Sequence, residues 1–377
     1  MSNQMQFEVK KQILLKAVAS VNGAVEKKNT IPILQNIKID AKKNVNGTDE
    51  IILSATDMDI LVTAIAEVDM KRGGTTTVPS QMFFDIIRKI PDGSDIMISQ
   101  ENASTLQIKY GKSKYTLPCI EASEFPCLSE GELGEEVEID ADVLRQMIDK
   151  TRFAISNDET RYYLNGLYLQ SLEKDSGFEL RTVATDGHRM ALSFFVSTSL
   201  KSSFGVILPK KSVAEIRRII DGSKKIKISV SRVKIKIVAE QITIISKLID
   251  GDFPDYDRVL PQNNDQLVTI NKKIFFDAVD RVSTIATDKH RSMKLTVENG
   301  KIQLQVSAND GSFAYEEMDV SYVGPNIEAG FNSRYLLDII GQIDKEEFMM
   351  RFKDGNSPIL IEASGMTAVF VVMPVRI

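Results

Sequence analysis

Few stretches of this chain carry residues whose types and spacing could do chemistry. Gly111-Lys112-Ser113 has the ending of a phosphate-binding loop, where backbone amides and a lysine cradle a polyphosphate. That loop needs a glycine five residues before Gly111, and Leu106 stands there, so no nucleotide site is expected. Ala184-Thr185-Asp186-Gly187-His188-Arg189 sets an acid beside an imidazole, the makings of a general-base pair. The other histidine is His290, and the two cysteines are Cys119 and Cys127. Without a Cys/His cluster a zinc site has almost no ligands to draw on. The 52 acidic residues contain no motif that singles out a carboxylate pair for acid–base work or two-metal hydrolysis. No cofactor or metal is expected.

What must position these residues is a repeat. Phe7 to Val18 (FEVKKQILLKAV) returns at Val137 to Ile148 (VEIDADVLRQMI) and again at Val268 to Val279 (VTINKKIFFDAV). The spacing of roughly 130 residues is a whole domain, far beyond the periods of solenoid repeats. Ala55-Thr56-Asp57 matches Ala184-Thr185-Asp186 and Ala308-Asn309-Asp310. Val78-Pro79-Ser80 with Asp85 matches Leu208-Pro209-Lys210 with Glu215, then Phe331-Asn332-Ser333 with Asp338. Phe125-Pro126 and Phe253-Pro254 close the first two copies, and the polar segments at 130–136 and 261–265 read as linkers. Three domains follow, at 1–128, 129–261 and 262–377. The repeat begins at Phe7 and the first four residues match nothing in the other copies, which makes Met5 an alternative start. In this register Asp186-Gly187-His188 falls between two strands, so its backbone role is a turn.

Each copy reads as a strand, a helix and three strands, twice over. In the first, residues 7–9 lead into a helix over 11–21, whose apolar residues Ile13, Leu14, Ala17, Val18 and Val21 fall at helical spacing. Strands are expected at 31–40, 51–54 and 60–69. A further strand at 76–78 meets a helix capped by Ser80 and running to Lys89, before strands at 95–99, 105–110 and 113–118. Val233 to Ile237 alternates apolar and charged residues, the mark of an antiparallel sheet wet on one face. The fold class is α+β, two helices per domain packed on antiparallel sheets.

Composition excludes a membrane class. The chain's 377 residues are 43% hydrophobic and 26% charged, ordinary for a soluble protein. No run nears the roughly 18 apolar residues of a membrane helix, and the N-terminus has no charged-then-apolar signal, so a cytoplasmic protein with free thiols is expected. The net charge of −5 argues at first against nucleic acid. The three thirds hold about 15 basic against 15 acidic residues, about 20 against 21 and about 12 against 16, so none is basic. Basic residues nevertheless recur on the helices: Lys10, Lys11 and Lys16, then Arg145, Lys150 and Arg152, then Lys272, Lys273 and Arg281. The second helices add Arg88, Lys89, Lys210, Lys211, Arg217, Arg218 and Arg334. Recurrence at equivalent places in three copies points to one shared basic surface.

Four motifs in order then carry a resemblance. Arg161-Tyr162-Tyr163-Leu164-Asn165-Gly166, Thr182 to Arg189 (TVATDGHR), Asp250 to Tyr256 (DGDFPDY) and the ending Val371 to Ile377 (VVMPVRI) resemble the bacterial DNA polymerase III beta subunit family, the DNA sliding clamps. The likeness spans the chain from Met5 onward. It implies a non-catalytic homodimeric ring of six domains that encircles duplex DNA and tethers polymerase for processive synthesis. Twelve helices at ~10 Å each would tile a circumference of roughly 120 Å around a hole roughly 38 Å wide. That admits duplex with water between, as sliding without base readout requires.

The resemblance also implies site residues. DNA contacts carry over to Lys28, Tyr162, Tyr163, Lys210 and Lys211. A groove for a short linear peptide from the polymerase catalytic subunit, clamp loader and repair proteins carries over to Leu164, Thr185, Gly187, His188, Arg189, Met190, Pro254, Arg258 and Val259. Asn332, Tyr335, Val372, Met373, Pro374, Val375 and Arg376 complete it. Methionine and valine walls suit leucine or phenylalanine anchors, and arginines suit carbonyls or acids. Tyr115, Leu117 and Ile285 carry over as the dimer interface, with Thr284 more polar than the large aliphatic of some members. His290 stands where an aromatic often lines the peptide pocket. Two other readings stay open: a DNA-processing nuclease built on repeated domains, and a repeat scaffold that binds only proteins.

Overall fold

The computed structural model describes residues 5–26, 30–126, 131–175, 177–197, 200–286 and 291–376. The first repeat runs β1 (Gln6–Lys10), α1 (Lys11–Asn22), β2 (Asn36–Lys43), β3 (Asp49–Thr56), β4 (Ile60–Glu67), β5 (Asp69–Arg72), β6 (Gly74–Pro79), α2 (Ser80–Lys89), β7 (Asp95–Asn102), β8 (Thr105–Tyr110) and β9 (Ser113–Pro118). The second runs β10 (Val137–Asp140), α3 (Ala141–Thr151), β11 (Gly166–Lys174), β12 (Gly177–Thr185), β13 (Arg189–Ser197), β14 (Phe204–Pro209), α4 (Lys210–Ile219), β15 (Lys225–Val230), β16 (Lys234–Ala239) and β17 (Ile242–Lys247). The third runs β18 (Gln266–Asn271), α5 (Lys272–Ser283), β19 (Ser292–Glu298), β20 (Lys301–Ser307), β21 (Phe313–Asp319), β22 (Ile327–Asn332), α6 (Ser333–Gly341), β23 (Glu347–Phe352), β24 (Ile359–Glu362) and β25 (Ala368–Val372).

The chain divides into two compact units. One comprises Met1–Asp142 with Ala214–Leu248 and holds a five-stranded sheet, β5-β1-β7-β8-β9, and an eight-stranded sheet, β10-β15-β16-β17-β4-β3-β2-β6. The other comprises Val143–Val213 with Ile249–Ile377 and holds an eight-stranded sheet, β14-β11-β12-β13-β25-β24-β23-β18, and a four-stranded sheet, β21-β20-β19-β22. Every pairing is antiparallel. In each long sheet a strand of one repeat pairs with a strand of the next: β17 with β4 (Ile242↔Ala64 to Ser246↔Ile60) and β13 with β25 (Arg189↔Val372 to Ser193↔Ala368). A repeat boundary therefore runs through the middle of a sheet.

The helices do what their spacing predicts. Leu14, Ala17, Val18 and Val21 of α1, Phe275, Ala278, Val279 and Val282 of α5, and Leu336, Ile339 and Ile340 of α6 are buried, each large side chain worth about 1.5–3 kcal/mol of transfer free energy. Ile13, expected on the same stripe, is exposed. β16 alternates half-buried and buried positions along its length, as its charged and apolar residues require.

Three local expectations change. The strand expected over 31–40 opens as a 3-10 turn at Pro32–Gln35, since Pro32 fixes φ and has no N–H for a ladder. Ser80 is the first helical residue rather than the cap; it is buried, and its hydroxyl donates to Asn22 Oδ1 at 2.5 Å. The segment at 261–265 is tied down at Asn264, whose Nδ2 donates to the carbonyls of Arg351 and Pro358. Cys119 is a free thiol, pushed up by burial, while Cys127 lies outside the described residues.

Candidate binding sites

The turn between β12 and β13 is built by Asp186. Its Oδ1 accepts the backbone N–H of His188 (2.9 Å) and of Arg189 (3.0 Å), and its Oδ2 accepts Arg189 Nε (3.1 Å). Gly187 has φ +88°, a conformation that costs glycine nothing, and Thr185 Oγ1 donates to Arg189 O (2.8 Å) while accepting Gly187 N–H (3.1 Å). Both carboxylate oxygens of Asp186 are thus occupied by the turn. The His188 ring stacks instead on Tyr335, centroids 6.3 Å apart.

The C-terminal strand passes beside this turn. After β25 pairs with β13, Met373 N–H donates to His188 O (2.8 Å) and Val375 N–H to Gly330 O in β22 (2.9 Å). Pro374, with no N–H, lies between the two bonds. Asn332 caps α6, its Oδ1 accepting from the N–H groups of Arg334 and Tyr335, and so sets Tyr335 in the first helical turn. The Arg189 guanidinium lies over the Tyr335 ring at 4.5 Å and over Phe153 at 5.1 Å. It also donates from Nη1 to Asp338 Oδ2 (2.6 Å) and from Nη2 to Phe153 O (3.0 Å). Burial, with Asp186 and Asp338 nearby, holds the Tyr335 phenol above its usual value.

His188, Arg189, Tyr335, Met373, Pro374 and Val375 therefore converge. On the adjoining strands and loop Val183, Met190, Leu192, Tyr256 and Val371 form a buried cluster, with Phe253, Val259 and Leu360 partly buried against it. Met190, Val372 and Leu164 are buried. Pro254 and Arg258 are exposed, and Arg258 pairs with Asp255 at 2.8 Å; Arg376 is exposed. His290 lies outside the described residues. Sequence reasoning missed Asp338, Phe153 and Leu360. A signal for Asp338 existed, because it holds the acidic position that Asp85 and Glu215 hold in the other second helices.

Tyr162 and Tyr163 sit on the 3-10 segment Glu159–Leu164. Asp158 starts it by accepting Thr160 N–H (3.0 Å), Thr160 Oγ1 (2.6 Å) and Arg161 Nε (2.9 Å), which hold its carboxyl below the usual range. Tyr162 is 55% exposed and meets Tyr163 edge-on at 5.8 Å. Lys210 joins the same loop, its N–H on Asn165 O (3.1 Å) and its Nζ on Asn157 Oδ1 (2.5 Å). Lys211 is half-buried next to it, and Lys28 lies outside the described residues. Much of the helix-borne basic charge is paired: Lys16 with Glu240, Arg88 with Asp85, Lys273 with Asp277, and Arg281 with Glu316.

β9 ends the five-stranded sheet and β21 ends the four-stranded one. Tyr115 is exposed on β9 and stacks on Tyr110 at 6.3 Å, whereas Leu117 points into its own core. Ile285 is half-buried just past α5. On β21, Phe313 and Tyr315 are exposed beside Glu316 and Glu317, a patch that sequence reasoning missed. Among the described residues no group of acids, histidines and cysteines could hold a metal, and no helix is long and apolar enough to cross a membrane.

Three consecutive domains of the DNA polymerase III beta subunit match this chain: N-terminal at residues 5–129, central at 138–255 and C-terminal at 257–376. The chain belongs to that family, the beta sliding clamps. It is 41% identical over 379 residues to the beta sliding clamp of Caulobacter vibrioides, covering 99% of this chain and all of that one. Against the beta sliding clamp of Escherichia coli K12 it is 33% identical over 376 residues, with the same coverage. A crystal structure of the Caulobacter crescentus clamp superposes over the full length of both chains with a TM-score of 0.95 at 39% identity. The Bartonella birtlesii clamp bound to griselimycin does so with a TM-score of 0.93 at 38% identity, over 99% of this chain.

Proposed function

We propose that two copies of this chain close head to tail into a ring around duplex DNA and do no chemistry on it. Each copy contributes three domains, at 1–128, 129–261 and 262–377. Strands β9 and β21 end their sheets with exposed aromatics, and an open strand edge is a template for pairing with another chain. Lys112 and Lys114 on one edge complement Glu316 and Glu317 on the other. Tyr115 and Ile285 belong to that contact, and Leu117 supports it from beneath. Lys28, Tyr162, Tyr163, Lys210 and Lys211 touch DNA through its backbone, which leaves sequence unread and lets the ring move. The protein works in the cytoplasm.

Polymerase, clamp loader and repair proteins dock a short peptide over the turn and tail. The observation that carries this is the convergence of His188, Tyr335 and Met373 to Val375, with one apolar cluster on the strands they adjoin. Thr185, Gly187, Arg189 and Asn332 hold that surface in shape. Met190, Leu164 and Val372 floor it, and Pro254, Arg258, Val259 and Arg376 rim it. Loading onto a nicked circular duplex with a clamp loader, followed by linearisation, tests the ring. Retention on the circle and release from the linear form is expected; equal retention on both refutes encirclement.

A further inference from the structure

Two helix ends of this chain are closed by a cation from another helix, in opposite senses, and the arginine form of the join has no counterpart on α6, where Gly341 stands in register with Arg218. In the first unit Arg218, near the end of α4, donates from Nη1 to Ala19 O (2.9 Å) and from Nη2 to Ser20 O (2.6 Å), both in the last turn of α1. Glu215, one turn earlier on α4, pairs with Arg218 at 2.6 Å. Its carboxylate sits against Gly23, the C-cap of α1, so closely that a Cβ there would lie 2.4 Å from Oε2. In the second unit Lys150 of α3 donates to the carbonyl of Gln342, the C-cap of α6. In both, a cation from one helix closes the carbonyl end of another, where the last carbonyls lack partners and the helix dipole is negative.

The repeat carries the first join onto helices of other copies. Ser80, Asp85 and Arg88 of α2 stand in register with Lys210, Glu215 and Arg218 of α4. Asp280, Arg281 and Thr284 at the end of α5 stand in register with Ala19, Ser20 and Gly23. Arg88 pairs with Asp85 at 3.0 Å in the same i,i+3 geometry, and its side chain is 57% exposed. Thr284 is the C-cap of α5, as Gly23 is of α1, and is exposed. Asp280 O accepts hydroxyls of its own turn, from Ser283 and Thr284. The two departures from the pattern complement each other. Where the cap gains a side chain, Gly23 becoming Thr284, the acid loses a methylene, Glu215 becoming Asp85.

We infer that Arg88 and Asp85 of one copy dock on the end of α5 of a second copy, Arg88 donating to the carbonyl of Arg281 and Asp85 facing Thr284. This rests on the reading that two copies pair head to tail. It makes Arg88 an inter-subunit clip rather than a DNA contact, and gives the polar Thr284 a partner at the junction.

Sedimentation equilibrium of the full chain over a dilution series tests it, with thermal melts as a control on folding. Wild type must dimerise; a monomer at every concentration overturns the ring and this junction together. Given a dimer, Arg88→Ala should raise the dissociation constant about tenfold, the scale of a lost charged hydrogen bond. Asp85→Glu should also weaken the dimer, by pressing the longer acid on Thr284, and Asp85→Glu with Thr284→Gly should restore it. Wild-type dissociation constants for Arg88→Ala and Asp85→Glu would leave the ring standing and overturn this junction. So would a double variant as weak as Asp85→Glu alone.

Discussion

Arg189 Nη1 and Asp338 Oδ2 lie 2.6 Å apart although 149 residues separate them in the chain. With Asp186, Phe153 and Tyr335 also engaged, and only 10% of its side chain exposed, Arg189 is a strut between β13 and α6. Its removal leaves two carboxylates without their cation. Arg189→Ala should cost about 2–3 kcal/mol, below the full penalty for a buried pair because Asp338 is partly solvated. It should also weaken a labelled pentapeptide with leucine and phenylalanine anchors, by freeing Tyr335. Arg189→Lys should recover little of either, since an ammonium cannot reach Asp186, Asp338 and the Phe153 carbonyl together. Urea titration and fluorescence anisotropy check both; wild-type values for Arg189→Ala would show that the strut is ornamental.

The tyrosine loop should respond to acid. Asp158 is held below its ordinary value of 3.8 by Thr160 first and Arg161 next. A carboxylate whose folded pKa is lowered stabilises the fold above the ordinary value, and that contribution disappears as pH falls through the lowered one. Protection of the Thr160 amide, corrected for intrinsic exchange, should therefore be full at about pH 7 and reduced at about pH 3. Asp158→Ala should show the reduced value at both. Equal protection of the wild-type amide across this range would detach the loop's order from Asp158.

Periodicity made the helices and most strands legible, because their apolar spacing is what buries Leu14, Phe275 and Leu336. It could not show that β4 pairs with β17 or β13 with β25, since an edge strand and a central strand carry the same alternation. The candidate site showed in the sequence as departures from the repeat, Gly187-His188-Arg189 and the tail. What stayed hidden was which of those residues face outward. Met190 and Val372 are buried, and Arg189, a residue suited to carbonyls or acids, already places Nε, Nη1 and Nη2 on Asp186, Asp338 and the Phe153 carbonyl. The Phe313 and Tyr315 patch was missed because two aromatics in a polar strand look like ordinary core positions until the sheet order places them on an edge.

Removing Tyr162 and removing Lys210 should weaken DNA binding in different ways. Both are exposed, so Tyr162→Ala and Lys210→Ala should change stability by no more than about 0.5 kcal/mol. Lys210→Ala deletes a positive charge and should reduce the slope of log affinity against log salt by about 1. Tyr162→Ala deletes no charge, so affinity should fall with the slope unchanged. Binding to a short duplex across a salt series separates the two. A slope unchanged in Lys210→Ala would remove that residue from the DNA surface.

Gly187 joins the two candidate sites. A Cβ there would lie 2.5 Å from Arg161 Nη1, and its φ of +88° strains any other residue. Gly187→Ala therefore combines a backbone term of about 1–2 kcal/mol with a clash against a side chain that can swing away. Swinging Arg161 out breaks its bond to Asp158 and loosens the loop that carries Tyr162. Because the turn also seats His188 on Tyr335, the same change should lower affinity for the anchor peptide. Arg161→Ala removes the clash and leaves the backbone term, so the double variant should be less destabilised than the two single costs added together. Strict additivity in denaturant titrations would show that the Arg161 guanidinium does not rest over this glycine in solution.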